Sequence, residues 1–183
     1  MFETPVLEFE TFRLVPFGET HLNERTLSWL KSPEVVKYSE NRHRSHDLET
    51  CRSYWQGMIV GGHHYWAIEL CGDEMQHVGN LTAYCDRFNA ISELAIMLGE
   101  SQVRGKGLGK AAWQGAMDWL LSDGGMRKVH AGTMAVNEPM KRIFQATGMN
   151  VEAIRPRHFL WNGQEVDMIY AGKFASDWQG VSL

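Results

Sequence analysis

Apolar and polar positions change period several times along the chain. Alternation over "FRLVPF" (12–17) predicts a strand. Leu22, Leu27 and Leu30 then fall near helical spacing, so 20–32 reads as a helix with Thr20 as its N-cap, interrupted by Pro33. A second helix is expected over 45–60, capped by Ser45, with Leu48, Cys51, Tyr54, Trp55 and Met58 on one face and Gly61–Gly62 as its stop. Three strand-like runs follow, 64–70, 76–85 and 92–98, separated by polar turns in the manner of a meander. From Gly107 the period is helical again, through Trp113, Ala116, Met117 and Leu120, until "SDGG" (122–125) ends it. A strand over 128–136 leads to Asn137, which can cap a short helix holding Pro139, Met140, Ile143 and Phe144, with Gly148 as its C′ residue. Two closing strands, 149–160 and 164–174, are joined by a turn at "WNGQ".

This order predicts an α/β fold in a single domain over 1–183: a mixed, mostly antiparallel sheet of six to seven strands with helices on both faces. The only clear parallel crossover runs from strand 92–98 through helix 107–121 to strand 128–136. Composition agrees with a globular protein, at 44% apolar and 22% charged residues. A net charge of −4 argues against a general nucleic-acid binder. The three cysteines form no CxxC pair, which fits a reducing setting. The chain start lacks the apolar core of a secretory signal, and no run is long enough to span a membrane. A cytoplasmic location is therefore expected.

One stretch, "IMLGESQVRGKGLGKAAW" (96–113), carries the chemistry. Three glycines and three cations, Arg104, Lys106 and Lys110, lie within seven residues at a strand-to-helix junction. Unpaired amides at a helix start, glycines that admit close approach and full positive charges together suit a phosphate or pyrophosphate. A Walker A loop is rejected, because Arg104 stands where its first glycine belongs and Ala111 replaces the magnesium-holding hydroxyl. Gly107, Gly109 and Ala112 satisfy a dinucleotide GxGxxA, but the preceding meander and the lack of an acid closing 128–136 speak against it. The pattern (Q/R)xxGx(G/A) fits as Arg104, Gly107 and Gly109.

With this pattern, "ELAIMLGESQVRGKGLGKAA" resembles the acetyl-CoA-binding motif of the GNAT family, the GCN5-related N-acetyltransferases. The branch it resembles holds ribosomal-protein N-terminal and small-molecule acetyltransferases, as "NEPMKRIFQATGM" downstream also suggests. The resemblance implies that strands 92–98 and 128–136 splay into a V that admits pantetheine along Ile96, Met97 and Leu98. It implies a pyrophosphate on the amides of Arg104, Gly105, Lys106, Gly107, Leu108, Gly109 and Lys110, with Asn137 reaching the pantetheine arm and Lys141 or Arg142 the nucleotide end. A main-chain amide near Met97 or Leu98 would polarise the thioester carbonyl. Glu93 is the candidate base, better suited if partly buried. Many family members carry a thiolate-protonating tyrosine where this chain has Phe144, and a serine where it has Met140; Tyr84 or water are the substitutes considered.

Eight histidines form no HExxH and the adjacent His63 and His64 point apart on a strand, so no metal site is expected. No GxSxG elbow is present. The polar loop "ENRHRSHD" (40–47) can border an acceptor site, where Arg42, His43 and Arg44 would meet an acidic or phosphorylated group. Trp161 can line its mouth. The expected activity is acetyl transfer from acetyl-CoA to a primary amine of a small molecule, with an amino sugar as one candidate. A protein N-terminus is the rival acceptor and a non-catalytic acyl-CoA sensor the rival class. Nucleic acid and membrane are not expected as partners. A homodimer through the terminal strands is open.

Overall fold

The computed structural model describes residues 3–72 and 76–176. Among these residues eight strands are found: β1 (Leu7–Glu8), β2 (Phe12–Pro16), β3 (His64–Leu70), β4 (Gln76–Asp86), β5 (Ile91–Leu98), β6 (Lys128–Met134), β7 (Asn150–Trp161) and β8 (Gln164–Phe174). They form one sheet in the order β1-β2-β3-β4-β5-β6-β8-β7. The helices are α1 (Glu24–Lys31), α2 (Pro33–Val36), α3 (Leu48–Val60), α4 (Leu108–Leu121) and α5 (Glu138–Ala146). The fold is the expected mixed α/β type with one more strand than foreseen. The added strand, β1, pairs two residues with β2, too few for alternation to show in sequence.

The chain gathers into two compact units: residues up to Tyr84 with Ala95–Trp113, and Cys85–Leu94 with the residues from Gln114 onward. In the first, β2, β3 and β4 pair antiparallel. Phe17, Leu22 and Ala67 form a small core, with Leu48, Cys51, Trp55 and Tyr65 packed on it. In the second, β6 and β7 both pair antiparallel with β8. There β5 meets β6 in parallel through Ile91–Lys128, Ser92–Val129 and Glu93–His130, where the ladder stops. The apolar face read from α4 is buried at Ala116, Met117 and Leu120.

Helix starts differ from expectation. Thr20 lies in a 3-10 turn, and α1 begins later because the Asn23 side chain accepts the Thr26 N–H at 3.1 Å. Asp47, not Ser45, caps α3: its carboxylate accepts the Thr50 N–H at 2.7 Å, while Thr50 Oγ1 accepts the Asp47 N–H at 3.0 Å. Pro33 opens α2 instead of only ending α1. Asn137 caps α5 as read, accepting the Met140 N–H at 3.3 Å. The turn between β7 and β8 places Asn162 and Gly163 at φ 51° and 75°.

Candidate functional site

The junction after β5 is held from one side by α1. Gly99 lies against the Trp29 indole so closely that a Cβ there would stand 1.9 Å from Trp29 Cδ2. Trp29 Nε1 donates to Glu100 Oε1 at 3.2 Å, and Arg25 Nε donates to the same oxygen at 2.7 Å. Arg104 then folds back on the strand end. Its Nε donates to the Leu98 carbonyl at 3.1 Å and its Nη2 to the Gly99 carbonyl at 2.8 Å. The cation expected beside a pyrophosphate is thus a clasp on its own loop, and the Leu98 carbonyl already has a partner.

Beyond the clasp, Gly105 and Gly107 sit at φ +73° and +91°, a region costly for residues with a Cβ, and a Cβ at either would meet nothing within 4 Å. The space over the loop is open, as close approach of a ligand to main chain requires. Helix α4 starts at Leu108, with Ala111 N–H donating to Gly107 O at 3.0 Å. The amides of Leu108, Gly109 and Lys110 therefore precede the first intrahelical bond. Lys106 and Lys110 are exposed, and neither enters an ion pair among the described residues. The residues present fit a diphosphate.

In the second unit, Asn137 uses its other amide end as well, donating from Nδ2 to Thr133 Oγ1 at 3.0 Å. Lys141 pairs with Glu138 one turn away. Glu93 is exposed, so the partial burial that would improve it as a base is lacking. Phe144 is buried at 3% exposure and packs as an apolar side chain.

A cavity of about 560 Å³ opens in the first unit. Ala95, Ile96 and Met97 of β5 form part of its wall, and Leu30, Val36 and Tyr65 add apolar surface. Asn41, Arg44, Ser45 and His46 line it from the polar loop the sequence singled out. Arg42 is drawn away instead, bonding Glu40 at 2.8 Å and the Ser39 carbonyl at 3.0 Å. Tyr54 and Tyr84 also line the cavity, their hydroxyls sharing a short hydrogen bond. Burial and that bond push the Tyr54 phenol well above its ordinary range, so it keeps its proton.

A polar network joins the cavity lining through Asn80. Gly18 N–H donates to His21 Nδ1 at 2.9 Å, which places the His21 proton on Nε2, donated to Glu69 Oε1 at 2.9 Å. Burial opposes the Glu69 charge, but hydrogen bonds from His21 and Arg13 outweigh it and hold the carboxyl below its usual range. His77 packs edge-on against Trp29 and donates from Nε2 to Asn80 Oδ1 at 2.8 Å. Burial pulls its pKa down to about 4. Two nitrogens on cavity-lining residues, His46 Nε2 and Asn80 Nδ2, are buried with no hydrogen-bond partner.

Of the residues singled out in the sequence, Ile96, Met97, Tyr84 and Arg44 line the cavity, and the glycine loop follows the same strand. His46 belongs to the 40–47 loop that was singled out, whereas the pattern gave no sign of Tyr54 beyond its helix face, of Asn80, or of the hold of Trp29 on Gly99. Helical spacing was the only available sign for Tyr54 and Trp29, and it reports a face, not a partner. No group of three or more possible metal-binding side chains occurs among the described residues.

A family model for the acetyltransferase (GNAT) domain matches residues 11–150. Human alpha/beta-tubulin-N-acetyltransferase 9 is 25% identical over 142 residues, spanning 72% of this chain and 69% of that protein. Among solved structures, the ribosomal-protein-S5-alanine acetyltransferase of Vibrio fischeri superimposes with a TM-score of 0.81 at 17% identity, covering 96% of this chain and 100% of the other. Spermidine N-acetyltransferase of Vibrio cholerae, solved with CoA and spermine, gives 0.79 at 14% identity, covering 90% and 96%. At such identities the structural likeness speaks to the fold.

Proposed function

Because the chain belongs to the GNAT acetyltransferase family, we propose that it transfers an acetyl group from acetyl-CoA to a primary amine of a small molecule, an amino sugar being one candidate. One observation carries the reading. Ile96 and Met97, the strand edge assigned to the coenzyme, are also wall residues of the cavity, so donor and acceptor would meet at one strand. The family model runs through both units, which supports reading the chain as one acetyltransferase domain.

Acetyl-CoA supplies an acyl group already activated as a thioester. Main-chain amides from Gly105 through Lys106, Gly107, Leu108 and Gly109 to Lys110 would hold its pyrophosphate, with the Lys106 and Lys110 ammonium groups adding charge; the Arg104 amide, expected among them, is already given to the Ser101 carbonyl at 3.1 Å. Ile96, Met97 and the Leu98 amide would take the pantetheine as an added strand. Asn137 and Lys141 are the residues proposed for the pantetheine arm and the nucleotide end, each already engaged by a neighbour. Tyr84 Oη, hydrogen-bonded to Tyr54, is the proton source for the departing sulfur in place of Phe144. Glu93, which is exposed and does not line the cavity, would accept the amine proton only through water. The acceptor must react as a neutral amine, and the positive charge of Arg44 on the lining favours that form by penalising the ammonium.

Mixing the protein with acetyl-CoA and a panel of amino sugars, peptides and polyamines, while following free thiol, tests the reading. Thiol release with a small amine is the expected result, with Tyr84→Phe lowering kcat about a hundredfold or more. A second reading, acetylation of a protein amino terminus, is favoured by the relatives named for tubulin and ribosomal protein S5, and turnover of peptides alone would select it. Uptake of acetyl-CoA with no thiol release from any amine would instead leave an acyl-CoA sensor.

A further inference from the structure

The side chains lining the cavity are unusual for a site that receives a positively charged amine. No Asp or Glu stands among the described residues that line it. Among the described residues on the lining, Arg44 alone carries a formal charge. Arg44 is exposed and takes part in no ion pair among the described residues. The acids closest to it in sequence are engaged elsewhere: Glu40 bonds Arg42, and the Asp47 carboxylate caps α3 through Thr50. Glu19, across the start of α3, pairs with Arg52. The cavity therefore presents an unanswered guanidinium on a lining that also holds two buried nitrogens with no partner, His46 Nε2 and Asn80 Nδ2. Asn80 is only 4% exposed and its Oδ1 is already held by His77, which leaves its amide N–H groups in need of an acceptor.

A polyamine entering this space would bring further positive charges to a wall that already bears one and has no carboxylate to meet them. Each would be partly desolvated without compensation. A carboxylate or phosphate would instead find the planar donor fork of an arginine, which binds such oxygens in pairs. From this juxtaposition we infer that the acceptor is a primary amine whose own body carries an anionic group, a carboxylate or a phosphate, recognised by Arg44. This rests on the acetyltransfer reading above and narrows its acceptor class.

The experiment has two stages. Calorimetry with acetyl-CoA and thiol release with any amine test the acetyltransfer reading. An enzyme that takes up the coenzyme but turns over no amine overturns that reading, and the acceptor class with it. The charge preference is then read as the ratio of kcat/KM values for matched acceptors. Glucosamine 6-phosphate and a peptide beginning Ala-Glu serve as anionic probes, against glucosamine, a peptide beginning Ala-Lys and spermidine. The expected ratio is at least tenfold in favour of an anionic acceptor, and which of the two anionic probes leads tells phosphate from carboxylate. Arg44→Glu should bring the ratio below one, while Arg44→Lys, which keeps the charge but loses the fork, should keep the order with a smaller margin. Equal or better turnover of spermidine by the unaltered enzyme, or a ratio that Arg44→Glu leaves unmoved, overturns the inference while leaving acetyl transfer standing.

Discussion

Two glycines at the loop act for different reasons, and substitution separates them. At Gly99 the difficulty is contact, since a Cβ would lie 1.9 Å from the Trp29 ring. Gly99→Ala should therefore cost about 1–3 kcal/mol of stability by overpacking. In a double-mutant cycle with Trp29→Leu the two losses should be less than additive, because both act on one contact. Additive losses in urea denaturation would remove Trp29 from the explanation. At Gly107 the difficulty is conformation: φ is +91° and the space above is empty. Gly107→Ala should cost about 1–3 kcal/mol of strain, and its Cβ would enter the space assigned to the pyrophosphate. Calorimetry should show a loss of acetyl-CoA affinity larger than the loss of stability. The glycine motif was legible in the sequence because a loop of three glycines announces itself. The Trp29–Gly99 contact was not, since nothing in either local pattern names the other residue.

His77 gives a pH dependence with a definite sign. Burial holds its folded pKa near 4 against an ordinary 6.5. Between these values the unfolded chain binds the extra proton, so stability falls as pH drops through that window, with a limiting slope of about 1.4 kcal/mol per pH unit, and is unaffected by this group above it. Urea midpoints measured from pH 7 to pH 4.5 should show the decline. A His77→Gln variant should flatten it, and an unchanged slope would assign the effect to other groups.

At the scale of elements, the caps separate what pattern reveals from what it hides. Asn137 was readable because an Asn followed by a Pro and an apolar period marks a helix start. Asp47 was overlooked in favour of Ser45 because the residue three places on is Thr50, not the Glu or Gln that usually completes a capping box. Thr20 lost to Asn23 because one 3-10 turn intervened before α1. The strands from β3 to β5 were placed to within a residue, since polar turns bracket them. The β6–β8 ladder, by contrast, joins segments some forty residues apart and is set by tertiary pairing. The α5 cap yields its own test. Asn137→Ala should cost about 1 kcal/mol. Asn137→Asp keeps the oxygen that accepts the Met140 N–H but loses the donor to Thr133, so it should retain most of the stability. If Asp proved as costly as Ala in urea denaturation, the Thr133 tether, not the cap, would be the main contribution.

For the molecule as a whole, a ligand that binds only the folded chain must raise its stability. At a hundred times its dissociation constant, acetyl-CoA should add about 2.7 kcal/mol, seen as a concentration-dependent rise in Tm. NAD, the ligand of the rejected dinucleotide reading, should give none; a shift with NAD and none with acetyl-CoA would reverse the assignment of the glycine loop. The acceptor cavity belongs to this scale too. It gathers α1, the 40–47 loop, α3, β4 and β5, so its lining could not be listed from sequence, although the polar loop and the strand edge could each be named.

The two bonds from Arg104 to Leu98 and Gly99 bear on the thermodynamics of coenzyme capture. A loop already fastened by its own side chain has little freedom left to lose when a diphosphate arrives, so the ordering cost falls on folding and not on association. Cutting the fastening with Arg104→Met would shift that cost to the encounter itself, and the binding entropy measured by calorimetry would turn more unfavourable even where the contacts in the complex stayed the same.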